Sequence, residues 1–251
     1  MRTAFTDLAS NAVIHLSALI DWWMHLPWLW ALLVSAVLNI VVYFGVSALA
    51  ERLAQILINR GHAVAISAGI TSTQQRKREK KYGLLTCVVL AACSLLCRPL
   101  YTSIWPDSLL ESFLQFSIFL SYYETYSYFI HRLFHLPPFL KIHSVHHRCR
   151  TTTPWSAYCV HPVEAFFIGL STPIFMMVVP LSLGNALMLH VGGMSFTILI
   201  HSNIRLINRH KAFRFIDYFA RYHHVHHHLG NRHFGFLANV WDQLLKTHQK
   251  H

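Results

Sequence analysis

Residues 131–147, HRLFHLPPFLKIHSVHH, decide how this chain folds. The first two histidines are four residues apart, and the last three follow the spacing i, i+3, i+4. Each set therefore shares one face of a helix. A Leu-Pro-Pro break separates the two sets, and a proline pair is a poor helix interior. The stretch predicts two helices joined by a turn, each presenting imidazole groups on one side.

A second histidine cluster, HHVHHH, occupies residues 223–228. The spacing H-x-x-H-H fits it in two registers, and the residues alone leave both open. These registers are His223, His226 and His227, or His224, His227 and His228. Between the two clusters, His201 ends an apolar run in ILIHSNIRL, as an interfacial histidine or as a further ligand. Its position beside the clusters favours a ligand.

Nine imidazoles from three segments exceed what one metal ion binds, so the sequence predicts two ions. Neutral imidazole binds Fe, Cu, Zn and Ni alike, so ligand type does not select the metal. Few carboxylates lie near these segments, and they are Glu164, Asp217 and Asp242. The expected site is therefore nearly all nitrogen, unlike the carboxylate-bridged di-iron sites of helical bundles.

The composition is that of a membrane protein, with 54% hydrophobic and 12% charged residues among 251. Long apolar runs occupy residues 29–50, 83–101, 108–130 and 165–200, and the last is long enough for a hairpin. Strand signals are weak. We therefore predict an all-α integral membrane protein, one membrane domain over 1–251, with about four transmembrane helices and a histidine-rich helical cap.

The formal net charge of +11 could indicate nucleic-acid binding, but its placement argues against that. All Lys and Arg except Arg2 and Arg98 fall within 51–82, 132–158 and 202–250. The predicted spans put these three segments on one side of the membrane, which the positive-inside rule makes cytoplasmic. We therefore expect a protein of a bacterial inner membrane or an endoplasmic reticulum, with its site on the cytoplasmic side.

One carboxylate is predicted at membrane depth. Glu124, Tyr128, His131 and His135 form one helical stripe. An ionisable group inside a span indicates a functional site. Either Glu124 accepts a hydrogen bond from a ligand imidazole, or it is bonded to a tyrosine hydroxyl near the interface.

The order and spacing of the histidine clusters resemble the fatty-acid hydroxylase/sterol desaturase superfamily of membrane enzymes. The resemblance covers 115–247, and 1–114 would supply the N-terminal helices and first spans. Further matching segments are HPVE at 161–164 (family H-P-x-E), HS at 201–202 (H-S-G-Y), NRHFG at 231–235 (N-x-N-[FY]-G), and WD at 241–242 with Thr247 (W-D-x-x-x-G-T). The chain departs from these patterns at Asn203, His233 and Lys246, which replace Gly, Asn and Gly.

The resemblance selects the register that begins at His223, because Asn231 and Phe234-Gly235 set the alignment. It implies two iron ions and no catalytic group beyond the metal ligands. The implied ligands are His131, His135, His143, His146, His147, His201, His223, His226 and His227. Glu124, Glu164 and His161 are the candidates for orienting these ligands.

The resemblance implies a non-haem di-iron oxygenase that hydroxylates or desaturates a sterol or fatty-acyl lipid with O2. The sequence contains no flavin, haem or iron–sulfur motif, so electrons must come from a separate cytochrome b5-like or ferredoxin-like protein. The alternative is a histidine-rich membrane transporter of zinc. A transporter would need ionisable residues on several spans, whereas few occur here and the histidine clusters lie on one side.

Overall fold

The computed structural model describes residues 2–207 and 214–248, and most of these residues are helical. The helices are α1 Arg2–His25, α2 Trp28–Asn59, α3 Thr73–Leu95, α4 Leu109–Phe134, α5 Pro137–His147, α6 Pro162–Gly169, α7 Ser171–Met176, α8 Leu183–Ile200, α9 Arg214–Leu229 and α10 Val240–Leu244. Short 3-10 turns occupy Arg98–Leu100 and Pro154–Tyr158. Strands β1 (Ala63–Ala65) and β2 (Ile204–Leu206) form one antiparallel ribbon. The predicted all-α class is confirmed.

Three helices among the described residues are long and apolar enough to cross a membrane: α2, α3 with its continuation to Leu100, and α8. The shorter apolar segment Pro162–Met176 precedes α8, as expected for the predicted hairpin. Helix α4, predicted as the third span, has 26 residues and thus sufficient length. Its Ser, Tyr, Gln and Glu residues lower its mean hydropathy, so it is not among the three apolar helices.

The membrane helices extend further towards the cap than the apolar runs predict. Helix α2 continues past residue 50 to Asn59. Helix α3 begins at Thr73, where the Ser72 side chain accepts a hydrogen bond from Gln75 N. The basic run at 76–81 is therefore helical and not a connecting loop. Lys, Arg and Glu are good helix formers, so the capped start propagates through them.

The turn Pro154–Tyr158 is held between α2 and α3. The Tyr43 hydroxyl donates to Trp155 O at 2.6 Å, and the Tyr43 ring stacks on Tyr158 with centroids 4.9 Å apart. Gly83 faces the same ring, because a Cβ there would lie 2.5 Å from Tyr43. This packing fixes the segment that links α5 to α6.

A buried amide joins α4 to α8 at the end away from the histidines. Gln115 Oε1 accepts from Ser182 N, Ser182 Oγ and Asn185 Nδ2, at 3.1, 3.1 and 2.8 Å. The amide also donates to Glu111. The two helices start side by side at this contact. Their other ends therefore both lie in the cap, one carrying His131 and the other His201.

The three departures from the family patterns share one backbone property. Asn203, His233 and Lys246 have φ values of 56°, 61° and 57°, and among the described residues they alone combine positive φ with a side chain. Glycine adopts this left-handed region without steric cost, and Asn is enriched there. The Gly and Asn of the family patterns are thereby explained, and this chain retains the conformation with other side chains.

Lys246→Gly is expected to raise the free energy of unfolding by about 0.5–1 kcal/mol, because it removes the left-handed strain of an exposed side chain. The change in melting temperature in detergent measures this. As a matched control, Lys141→Gly in helix α5 should lower stability by about 1 kcal/mol. Destabilisation by both variants would show that φ at residue 246 carries no strain.

Candidate metal centre

The ends of α4, α5 and α9 bring five histidines together, which we call group 1. Their ligand nitrogens all lie within 4.8 Å of one another. His147 Nε2 is 3.0 Å from His143 Nε2 and 3.1 Å from His226 Nε2. The members of group 1 are His131, His135, His143, His147 and His226.

Four further histidines form group 2 beside group 1, with ligand nitrogens equally close. His201 stands at the C-terminal cap of α8, and its Nε2 is 2.9 Å from His223 Nε2. Adjacent residues of α5, His146 and His147, belong to different groups, and their ring centroids are 6.0 Å apart. The members of group 2 are His146, His201, His223 and His227.

Backbone carbonyls fix the tautomer of several rings. His226 Nδ1 donates to Arg232 O at 2.6 Å, and His131 Nδ1 donates to Phe234 O at 3.0 Å. A carbonyl oxygen only accepts, so the ring proton must be on Nδ1. The Nε2 atoms of both rings are therefore unprotonated and carry lone pairs.

Within group 1, these lone pairs meet at short distance. When Glu164 is ionised, its carboxylate accepts from His143 Nδ1 at 2.8 Å, and this leaves His143 Nε2 unprotonated as well. His147 Nε2 lies between the Nε2 atoms of His143 and His226, and one N–H cannot point at both. At least one contact therefore sets lone pair against lone pair, and a cation among these nitrogens would remove the repulsion. The donor set fits a metal ion.

Group 2 also brings unprotonated ring nitrogens close together. His201 Nδ1 donates to Thr197 O at 2.6 Å, which leaves its Nε2 unprotonated. His223 Nε2 contacts both this atom and His227 Nε2, the second at 3.1 Å. A single N–H on His223 cannot satisfy both neighbours, so this donor set also fits a metal ion.

Burial keeps the rings in the neutral form that binds metals. Burial lowers the pKa of His147 to about 4 and that of His201 to about 4. It also holds the pKa of His226 well below the ordinary value. Neutral imidazoles bind a metal ion without first losing protons at pH 7. The groups differ in access, since three group 1 rings are half-buried and every group 2 ring is buried.

The three predicted orienting residues have different positions. Glu164 contacts His143 directly, as described above. His161 is the N-cap of α6, where its Nδ1 accepts from Val163 N at 3.2 Å, and it belongs to neither group. Among the described residues, Glu124 is hydrogen-bonded to neither a ligand imidazole nor a tyrosine hydroxyl, the two partners that the sequence left open. Its carboxylate instead accepts from Leu237 N and Ala238 N, at 2.8 and 3.0 Å.

Asp242 holds the loop that supports group 1, and the sequence did not assign it this role. Its buried carboxylate accepts from Phe234 N, Gly235 N, Tyr222 Oη and Thr247 Oγ1, at 3.0, 2.6, 2.6 and 2.6 Å. A Cβ at Gly235 would collide with this carboxylate and the backbone, so glycine is required. The Phe234 carbonyl then accepts from a group 1 imidazole. The Trp241-Asp242 pair was the signal available in the sequence. The partners of Asp242 could not be read from it, because they depend on how the 234–235 loop packs.

We expect Glu164→Gln to weaken metal binding by about 10–100-fold, because an amide replaces the carboxylate that accepts from a ligand ring. Glu124→Gln should have a smaller effect on the metal, since Glu124 reaches the site only through the backbone at 237–238. Metal affinity by competition with a chelator checks both. A larger loss in Glu124→Gln would reverse this ranking.

The remaining histidines of the late cluster lie outside both groups. His224 and His228 contact each other, with ring centroids 4.6 Å apart. His224 is buried and His228 is exposed. The geometry thus favours the register that begins at His223.

Comparisons with known proteins match the part of the chain that carries both histidine groups. The family model for fatty acid hydroxylase matches residues 116–247, which is more than half of the chain and contains all the histidines of both groups. A Delta(7)-sterol 5(6)-desaturase of Leptosphaeria maculans is 30% identical over 144 residues, covering 55% of this chain and 38% of the relative. The Delta(7)-sterol 5(6)-desaturase erg3B of Aspergillus fumigatus is 27% identical over 136 residues, covering 54% of this chain and 39% of the relative.

The matched part of the chain thus spans well under half the length of these relatives. No solved structure matches the chain. The family model covers most of α4 and all of α5 to α10, and thus every element that contributes a histidine to the two groups: α4, α5, the end of α8 and α9. The chain belongs to the fatty acid hydroxylase family.

Proposed function

We propose that this protein is a membrane-bound non-haem di-iron oxygenase that hydroxylates or desaturates a lipid of the sterol or fatty-acyl type. The observation that carries the proposal is the pair of adjacent all-imidazole groups. Within each group, neighbouring Nε2 atoms lie 2.9–3.1 Å apart. The family and the sterol desaturase relatives support lipid as the substrate class. They also favour the enzyme over the zinc transporter that the sequence left as an alternative.

In this proposal each histidine group holds one iron ion. Bound iron would supply the activation of O2 and the cleavage of an unactivated C–H bond. Hydroxylation converts R–H, O2, two electrons and two protons into R–OH and water. Desaturation converts a CH2–CH2 unit, O2, two electrons and two protons into a CH=CH unit and two waters. The electrons come from a separate carrier protein.

The chain's own residues hold and orient the ligands. The Arg232, Phe234 and Thr197 carbonyls each keep a proton on the Nδ1 of one ligand ring, and Glu164 does so as a carboxylate. These contacts direct each Nε2 towards the metal and restrain ring rotation. Burial of group 2 excludes water from that half of the centre.

A row of packed aromatic rings extends from the cap between α4 and α8. Phe236, two residues after Phe234, packs edge-on against Tyr123 of α4 and Phe196 of α8, with centroids 5.7 and 5.6 Å apart. Phe119 continues the row by stacking on Tyr123. In the proposed enzyme, these rings contact the lipid. The site faces the cytoplasm, because the segments 51–82, 132–158 and 202–250 on its side of the membrane carry all Lys and Arg except Arg2 and Arg98.

Metal analysis and turnover test the proposal. Protein prepared anaerobically and loaded with Fe(II) is expected to hold two iron ions per chain. With dithionite as reductant, it should consume O2 and convert added sterols or fatty-acyl lipids to products with one hydroxyl group or one double bond. One ion or none would contradict the two-ion centre. Zinc in aerobically overproduced protein would not count, because nitrogen sites also bind zinc. Full loading without any lipid product would contradict the oxygenase.

A further inference from the structure

Positive side chains form a patch beside group 1, which we call the basic face: Arg78, Lys141, Arg148 and Arg150. Arg148 directly follows the ligand His147, and its carbonyl accepts from Arg78 Nη2 at 3.1 Å. Lys141 precedes Arg148 by two helical turns on α5, so both lie on one side of this helix. The side chains of Lys141, Arg148 and Arg150 are exposed, and that of Arg78 is half-buried.

The basic face has no counter-charge of its own. Within 2–207 and 214–248, the structure shows ion pairs for other cations but none for these four. The carboxylates packed behind the face are buried and already bonded. Glu79 accepts from Gln75 and Thr153, and Glu164 accepts from a ligand ring. The face therefore presents a net positive potential to solvent.

The end of the basic face that carries Arg150 lies beyond the expected depth of the lipid headgroups. Gln75 donates to Thr151 O at 2.9 Å and thereby places the segment after Arg150 against the start of α3. Gln75 precedes Gly83, where the apolar part of α3 begins, by about 12 Å of helix. The headgroup layer on each side of the hydrocarbon is only about 5–7 Å thick. The height of the Arg150 end and the charge of the whole face favour an acidic protein over a lipid surface.

We propose that the basic face docks an acidic protein that carries one electron at a time and delivers it to group 1. This inference rests on the proposed function, which requires two external electrons per turnover. Group 1 is the more exposed group, and the peptide bond between His147 and Arg148 joins one of its ligands to the face. In each docking event the carrier's cofactor is oxidised and the metal centre is reduced by one electron, with no atom transferred.

Electron transfer from two acidic probes tests the docking surface. The probes are the soluble haem domain of a cytochrome b5 and a plant-type [2Fe–2S] ferredoxin. The iron-loaded, oxidised full-length protein in neutral phosphatidylcholine nanodiscs is mixed with each reduced probe, and probe oxidation is followed by stopped-flow absorbance. We expect the rate with at least one probe to fall steeply with added salt. Arg148→Glu with Arg150→Glu should lower that rate at least tenfold.

Two controls separate docking from damage to the site. Arg52→Glu, an exposed charge reversal on α2, should leave the probe rate unchanged. The double variant should keep wild-type iron content and a wild-type rate of reduction by dithionite. Salt-independent rates with both probes, or equal slowing by Arg52→Glu, would overturn the proposal. Probe oxidation is measured without lipid turnover, so a protein that accepts electrons at this face but forms no lipid product would refute only the proposed function.

A lipid role for the same cations gives a different result. Were the face a headgroup site, the double variant would retain the wild-type probe rate in neutral nanodiscs. It would differ from wild type only in nanodiscs rich in phosphatidylserine. That outcome would assign the face to anionic lipid and overturn protein docking.

Discussion

Replacing His223 by alanine is expected to reduce the metal content from two ions per chain to one and to abolish turnover. His223 Nε2 lies 2.9 Å from His201 Nε2 and 3.1 Å from His227 Nε2, so it links two other members of group 2. Its removal leaves three imidazoles for that ion, while group 1 keeps all five of its ligands. Elemental analysis after gel filtration, with O2 consumption on the same sample, measures both effects.

His224→Ala and His228→Ala are the matched controls, because both residues lie in the same cluster of α9 but in neither group. Each variant should retain two ions and most of the activity. If His224→Ala lost an ion while His223→Ala kept both, the ligand register would shift by one residue.

The second large effect is expected at Asp242. Asp242→Asn should lower the free energy of unfolding by about 3 kcal/mol or more, because an amide nitrogen would then face backbone N–H groups that are buried and lose their acceptor. It should also weaken metal binding, and more strongly in group 1 than in group 2. The reason is that the displaced backbone carries the Phe234 carbonyl, which accepts from His131. Thermal unfolding and stepwise removal of metal by a chelator measure the two effects.

Asp217→Asn is the control for a buried carboxylate away from that loop. Asp217 accepts from Leu206 N at 3.2 Å and pairs with the half-exposed Arg221. Its replacement should cost stability without a preferential loss of metal from group 1. Wild-type metal binding in Asp242→Asn, with equal destabilisation in both variants, would show that Asp242 supports the fold alone.

Local patterns in the sequence predicted most of the helices and the histidine clusters, and the family resemblance was needed to choose the register that begins at His223. The spacings i, i+4 and i, i+3, i+4 place imidazoles on one helix face wherever the helix forms, and this rule involves only neighbours along the chain. The Pro137–His147 helix begins at the predicted proline break, since proline suits the first turn of a helix. All nine candidate ligands then fall into two groups in the structure.

The polar partners of those ligands could not be predicted, because each depends on where a distant segment packs. Asp242 and Glu124 both accept hydrogen bonds from the backbone of the 234–238 loop, although more than a hundred residues separate the two carboxylates. Glu124 was predicted from its helical stripe to contact a histidine or tyrosine. Its carboxylate instead accepts from the backbone N–H groups of Leu237 and Ala238, in a loop that no local sequence pattern predicts.

The sequence by itself determined which residues can share a helix face and that the chain belongs in a membrane, because periodicity and hydropathy are properties of short segments. Only the tertiary structure decided that the adjacent residues His146 and His147 serve different groups, that Glu164 holds His143, and that group 1 is the more exposed group. Successive residues on a helix point about 100° apart. The neighbours that each one meets are therefore set by how α4, α8 and α9 pack around α5.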